Sequence, residues 1–222
     1  MASRAGTEDG GDSGDMRRRV LAGLLLPLLL LPATPALPQG APAMNRDPMA
    51  IRAGRYRLDS AHGRITWAVN HFGLSIYRGQ ITGVEAQLVL DPANIARTAL
   101  DVTVRVDGLR TGDADLDRHL RTADFFDLSR FPTAHFVAEK VERTGERGAR
   151  VHGRLTLHGV TKPVTLRVTF NAAGVHPVSK RYTLGFDGKA TIRRSEFGMT
   201  SYLPAVGDEV SLELEGEFQL QE

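Results

Sequence analysis

The sequence predicts an all-β fold: an antiparallel closed barrel of about eight strands, with one short helix and an aromatic plug segment. Three observations predict it. Apolar and polar residues alternate through successive segments, as they must where side chains leave a strand on opposite faces and only one face is dry. Most of these segments are joined by short turns, which suits antiparallel neighbours. Almost no helix is available to cover the dry faces. The sheet must therefore roll up and bury them against one another, leaving no exposed edge.

The alternation is fullest in the last strand, where Val210, Leu212, Leu214, Gly216, Phe218 and Leu220 point one way and Ser211, Glu213, Glu215, Glu217 and Gln219 the other. In chain order, Arg55 to Leu58 opens the domain, and Ile65, Trp67 and Val69 alternate through a second strand. Ile81 to Leu90 makes a third, closed by the turn Asp91-Pro92-Ala93-Asn94. Leu100, Val102, Val104 and Val106 share one face of a strand over Ala99 to Asp107. The helix is expected over Asp113 to Ala123. Leu116 and Leu120 lie four apart there, and Asp113, Asp115 and Asp117 crowd its first half, where the helix dipole favours negative charge. Phe125, Phe126, Leu128 and Phe131 follow, closing at Pro132. So much aromatic surface in a non-repetitive segment reads as a plug over one barrel end. Strands resume at Thr133 to Val141, Val151 to Leu157, Val164 to Phe170, Tyr182 to Ile192 and Val210 to Leu220, with Thr161-Lys162-Pro163 as a tight connection.

The amino-terminal region reads as an address label. Arg17, Arg18 and Arg19 precede an apolar run from Val20 to Leu31, then Pro32 and small residues to Ala36. That is the pattern of an export signal over residues 1–36, with Met16 as an alternative start and a retained anchor as the competing reading. The run is too short to cross a hydrocarbon core of roughly 30 Å as a helix. Residues 37–53, rich in Pro and Ala, read as a tether, and 54–222 as the barrel domain. The expected destination is the periplasm.

The chain contains no cysteine, which excludes disulfides, thiolate metal sites and cysteine nucleophiles. Removing residues 1–36 takes away four charges of each sign, leaving 24 basic and 22 acidic residues mixed along the strands. No face is built for nucleic acid. Ser195 lacks a nucleophile-elbow pattern, and there is no His-x-x-x-His and no Gly-rich phosphate loop. Neither catalysis, a metal nor a cofactor is expected. His152 and His158 sit about 20 Å apart on one strand and read as solvated surface. Gly153, Gly188, Ala190 and Gly216 remove bulk on inward faces, either to admit a ligand or to let strands bend.

Five segments then carry a resemblance. They are Tyr56-Arg57-Leu58-Asp59 with Ala61-His62, and Asn70-His71-Phe72-Gly73, followed by His119-Leu120 with Asp124-Phe125-Phe126-Asp127 and Phe131-Pro132. The last two are Gly153 to Val164, reading GRLTLHGVTKPV, and Arg194-Ser195-Glu196-Phe197-Gly198-Met199. In this order they resemble the YceI-like proteins, exported lipocalin-like barrels that bind polyisoprenoids. The sequence departs from that pattern at Leu116, where the family usually has Arg, at Asn70 for Lys, at Gly63 for Ser and at Ile81 for an aromatic. The first two remove positive charge, which weighs against an anionic headgroup more than against a prenyl tail.

The resemblance implies a carrier that holds a prenyl quinone or prenyl phosphate derivative inside the barrel. The expected lining is Trp67 and Val69, Val102 and Val104, Leu155 and Leu157, Leu166 and Val168, Phe186, and Leu212 and Leu214. Phe125, Phe126 and Phe131 are expected to gate one end. His71 and Arg194 are expected headgroup contacts, with turn-stabilising hydrogen bonds and a salt bridge to Asp124 or Asp127 as the competing readings. The expected partners are the lipid and, transiently, a membrane, with the protein a monomer or homodimer. A ligand-free structural or partner-binding barrel and an isoprenoid- or acyl-processing enzyme are the rival classes.

Overall fold

The computed structural model describes residues 43–222. The expected export signal, and the first part of the expected tether, lie outside the described residues. The protein is an all-β antiparallel barrel with a single α-helix among the described residues. Eleven strand segments follow in chain order: β1 (Gly54–Leu58), β2 (Arg64–His71), β3 (Ser75–Ile81), β4 (Val84–Leu90), β5 (Ala99–Arg105) and β6 (Leu109–Arg110). After the helix α1 (Ala114–Leu120) come β7 (Thr133–Arg143), β8 (Gly148–Leu157), β9 (Val160–Val175), β10 (Tyr182–Arg193) and β11 (Val206–Leu220).

These segments make eight staves, because the first six are broken halves of three long strands. Both β1 and β2 pair with β11, through Leu58 opposite Phe218 and Ile65 opposite Leu214. Likewise β3 pairs with β2 and β6 while β4 pairs with β1 and β5. From β5 the ladder continues through β7, β8, β9 and β10 to β11, which closes the barrel on the first stave. Closure leaves no long edge to template another strand.

The faces fall where the alternation puts them. Val84, Ala86, Leu88 and Leu90 of β4 are buried and Glu85, Gln87 and Val89 exposed. The lower end is sealed by Tyr56, Leu88, Leu90, Phe170, Ala173 and Leu184 packed together. Residues 43–53, expected to hang free, lie against this end instead. Ile51 joins that cluster, Asn45 pairs with Ala173, and the Tyr56 hydroxyl donates to the Arg52 carbonyl at 2.5 Å. Burial of Ile51 draws the segment in.

Three local expectations change. The stave expected to begin at Ile81 begins at Ser75, after a tight turn at Phe72-Gly73. The helix stops at Leu120 rather than Ala123, because the chain folds back and the Phe126 amide donates to the Leu120 carbonyl. Its start is as expected: the Asp113 side chain caps it by accepting from the Asp115 and Leu116 amides at 2.8 and 3.2 Å. Finally, the β8–β9 turn falls at His158-Gly159, both at positive φ, and Thr161-Lys162-Pro163 is already strand.

Candidate functional site

Two apolar cavities lie along the barrel axis, and register along β11 gives their order. Val206, Val210 and Leu212 line the upper one, of about 360 Å³. Leu214, Gly216 and Phe218 line the lower, of about 160 Å³. Ile65 is on the wall of both. The upper volume lies within the roughly 300–1,000 Å³ of small-molecule pockets.

The upper cavity is built from β2, β5, β8, β10 and β11 below and from α1 and its following segment above. Of the expected lining, Trp67, Val69, Val104, Leu155, Leu157 and Leu212 face it. Val102, Leu166, Val168, Phe186 and Leu214 face the lower cavity. Phe186 closes that cavity from the side, its ring edge-on to Phe218 at 5.9 Å and tilted to Phe170 at 5.6 Å. All eleven expected wall residues therefore point inward, divided between two chambers.

Phe125 and Phe126 cover the upper cavity, with Leu116, His119 and Leu120 of α1 beside them. Phe125 stacks on Tyr202 at 6.1 Å and meets His119 edge-on at 5.2 Å. Phe131 is not part of this lid. Its ring lies against His158 at 4.8 Å and over Gly159, on the β8–β9 turn. The turn preceding it redirects the chain: Asp127 stands at φ 43° and its carbonyl accepts from the Arg130 and Phe131 amides.

Arg194 reaches the cavity wall but is spent on the backbone. Its guanidinium donates to the carbonyls of Gly207, Met199, Ser201 and Val206 at 2.8, 3.0, 2.9 and 2.8 Å, and the residue is only 5% exposed. Burial pushes its pKa down, against the opposing pull of Asp208. Neither Asp124 nor Asp127 pairs with it. The segment beside it is pinned the same way, since Ser195 gives both its amide and its hydroxyl to Asp208 at 2.9 Å. The Ser195 amide, with the hydroxyl adding to it, holds the Asp208 carboxyl below its usual range. The expected headgroup arginine thus organises residues 198–207 at the mouth.

His71 does stand at the mouth, on the cavity wall beside Phe72 and Tyr77, and its ring makes no hydrogen bond among the described residues. His62, by contrast, lies far from it and bonds Asp59 at 3.0 Å, which raises the imidazole pKa. His158 departs from the surface reading. Its Nδ1 meets the Phe197 carbonyl at 2.9 Å, tying the β8–β9 turn to the short helical turn Arg194–Phe197. His152 stays near the surface with Thr165 and Glu142.

The inward glycines make room for the protein's own side chains. A Cβ at Gly153 would come within 2.5 Å of Phe136 Cζ, one at Gly188 within 3.3 Å of Leu214, and one at Gly216 within 3.1 Å of both Leu58 and Phe218. Sequence reasoning missed Ile65, Tyr77, Ile192, Met199 and Tyr202 as cavity residues. Ile65 and Ile192 were recoverable from the same alternation, whereas Met199 and Tyr202 sit in a loop with no period.

Comparison with known proteins agrees with this architecture. The model of the YceI-like domain matches residues 56–218. A UPF0312 protein of Vibrio cholerae is 36% identical over 162 residues, covering 72% of this chain and 85% of that protein. One from Pseudomonas putida is 35% identical over 149 residues, covering 66% and 77%. Among solved structures, Burkholderia cenocepacia BcnA superposes with a TM-score of 0.66 at 26% identity, covering 72% of this chain and 98% of that one. A polyisoprenoid binding domain from Saccharophagus degradans shares the fold, with a TM-score of 0.57 at 10% identity over 77% of this chain and all of its own. The five ordered segments, the eight-stave barrel and these matches agree: the chain belongs to the YceI-like family.

Proposed function

We propose that the barrel binds one polyisoprenoid lipid tail-first, with a neutral headgroup of the prenyl-quinone kind at the mouth, and carries it through the periplasm. The observation that carries this reading is the apolar upper cavity, closed below and bounded above by Phe125, Phe126 and Tyr202. A slim hydrocarbon gains roughly 0.8 kcal/mol per buried CH₂ relative to water, yet exchange with a bilayer, where the tail is already dry, is near neutral. That balance suits reversible pick-up and release. The name of the Saccharophagus degradans domain, polyisoprenoid binding, supports the same ligand class.

Neutrality of the headgroup follows from the wall. Arg194 is the only Arg or Lys among its lining residues, and its guanidinium already serves four carbonyls. Leu116, where a family member usually has Arg, lines the same cavity and adds hydrocarbon. A phosphate would enter without a free cation to pair with, at a cost of several kcal/mol.

Organic extraction of the purified protein with mass spectrometry of the extract tests the proposal, together with titration by a prenyl quinone read through the single tryptophan, Trp67. The expected result is a co-purifying prenyl lipid, or saturable quenching of Trp67 emission. An empty extract together with no uptake rules it out and leaves a structural or partner-binding barrel. Turnover of bound lipid would move the protein to the enzymes.

A further inference from the structure

Two neighbouring loops at the mouth expose apolar side chains and carry no Asp, Glu, Lys or Arg. The first is the β2–β3 turn, where Phe72 is 51% exposed, Leu74 85% and Ile76 49%. The second runs from Phe197 to Gly207 and carries Tyr202, 55% exposed. The Phe72 amide donates to the Ala205 carbonyl at 2.8 Å, so the two loops form one tip. No Asp, Glu, Lys or Arg occurs from Val69 to Tyr77 or from Phe197 to Gly207, in a chain that is 24% charged.

The backbone at this tip is also unfavourable for the side chains it bears. Phe72 stands at φ 56° and Tyr202 at φ 63°, left-handed positions that glycine or asparagine would occupy with less strain. Phe72 keeps an aromatic contact with His71 and Tyr202 one with Phe125, yet each leaves more than half its surface in water. Strain of this kind marks a position kept for another purpose. Both rings, moreover, line the upper cavity, so the exposed patch is continuous with the apolar interior.

We infer that this tip is a membrane-docking surface: Leu74 and Ile76 enter the interfacial region of a lipid bilayer while Phe72 and Tyr202 line the path from bilayer to cavity. The partner follows from the chemistry. A protein partner is recognised through a charged and hydrogen-bonding rim around an apolar centre, and this tip carries no Asp, Glu, Lys or Arg to form one. A bilayer surface needs only apolar and aromatic side chains at headgroup depth. The lid meets the tip through Tyr202, which stacks on Phe125 and lies edge-on to His119, and its exposed Asp115, Arg118 and Asp124 set the polar border of the patch. The inference rests on the carrier reading only for the purpose of docking; the surface itself is tested separately.

The test is flotation of the purified protein with phosphatidylcholine vesicles, comparing wild type with Leu74→Asp and Ile76→Asp. Neither side chain lines a cavity, so far-UV circular dichroism and thermal unfolding should match wild type. Wild type is expected to float with neutral vesicles in high salt, and each variant to partition about tenfold less, as removal of one buried aliphatic side chain dictates. Three results overturn the inference: no association of wild type with vesicles, equal association of the variants, or association only with anionic vesicles that salt abolishes. Self-association through the tip, lost in Leu74→Asp without any vesicle binding, would assign the patch to a second copy instead. An empty lipid extract from a protein that still floats would sink the carrier reading and leave the docking surface standing.

Discussion

Trp67 and Gly79 face each other across the β2–β3 ladder, and the indole occupies the space a side chain at position 79 would need. A Cβ there would lie 2.6 Å from Trp67 Cε2 and 2.9 Å from the Arg110 carbonyl. Glycine at 79 therefore lets Trp67 lie flat on the wall, stacked at 6.2 Å on Tyr77, instead of projecting into the upper cavity. Its Nε1 is buried there without a hydrogen-bond partner among the described residues. Gly79→Val should force the indole inward, costing about 1–3 kcal/mol of stability by overpacking. Trp67 emission should shift and prenyl-lipid uptake should fall. Unchanged emission and uptake would show that the ring has room elsewhere.

The division between wet and dry faces predicts a sharp contrast. Leu157→Asp or Leu212→Asp places an unpaired carboxylate against hydrocarbon, at a cost of several kcal/mol, and should abolish uptake. Glu213→Ala removes only an exposed partner of Lys189, 3.1 Å away, and should leave uptake intact. Circular dichroism must accompany the binding assay, because Leu157 is also core.

Ile65 lies on the wall of both chambers, so in the proposed carrier it would set how far a tail descends. Ile65→Phe should add bulk where the two chambers meet. The protein should still bind short prenyl chains while longer ones are lost, a change read by mass spectrometry of lipid taken up from a mixed-length set. An unchanged length distribution would mean that the tail never passes this point.

Arg194 holds the mouth loop through four carbonyls, so its removal strands them together. Arg194→Met should cost about 3 kcal/mol in urea unfolding, since a buried carbonyl left unpaired costs roughly 1–3 kcal/mol and that of Met199 is buried while the other three are part-buried. A loss below about 1 kcal/mol would show that water replaces the guanidinium freely.

Tyr56 carries the pH prediction. Burial, followed by the neighbouring Tyr182, pushes its phenol from 10.0 up to about 12. A raised folded-state pKa contributes stability that is complete below pH 10 and is lost as pH climbs through about 12. Ultraviolet titration should show a tyrosine phase near pH 12, together with unfolding in strong alkali. Tyr56→Phe should remove the late phase. A titration with no such late phase would contradict the sealed lower end.

The alternation made most of this barrel legible. Val210 to Leu220, Leu100 to Val106 and Leu184 to Ile192 needed only a period of two to be placed inward, and so every expected wall residue faces a cavity. What escaped was geometry that depends on a neighbour across the sheet. Gly153 looks empty until Phe136 is known to lie over it. The start of β3 was hidden for another reason: Leu74 and Ile76 put apolar side chains on the wet face, inverting the pattern that announces a strand. Arg194 read as a ligand contact because its true partners are backbone carbonyls, which carry no sequence signature. Phe131 read as part of the lid because the reversal at Asp127 is set by a left-handed residue that is not glycine.

β11, the last-made stave, closes on the first, touching β10 along one side and both β1 and β2 along the other. Synthesis delivers β1 and β2 first, so their open flank waits for the carboxyl-terminal residues before it is satisfied. Pairings so distant along the chain slow folding. Removing Phe218 to Leu220 would take away every β11 partner of β1 and leave that seam unstitched, so the wall is continuous only once this stretch is in place.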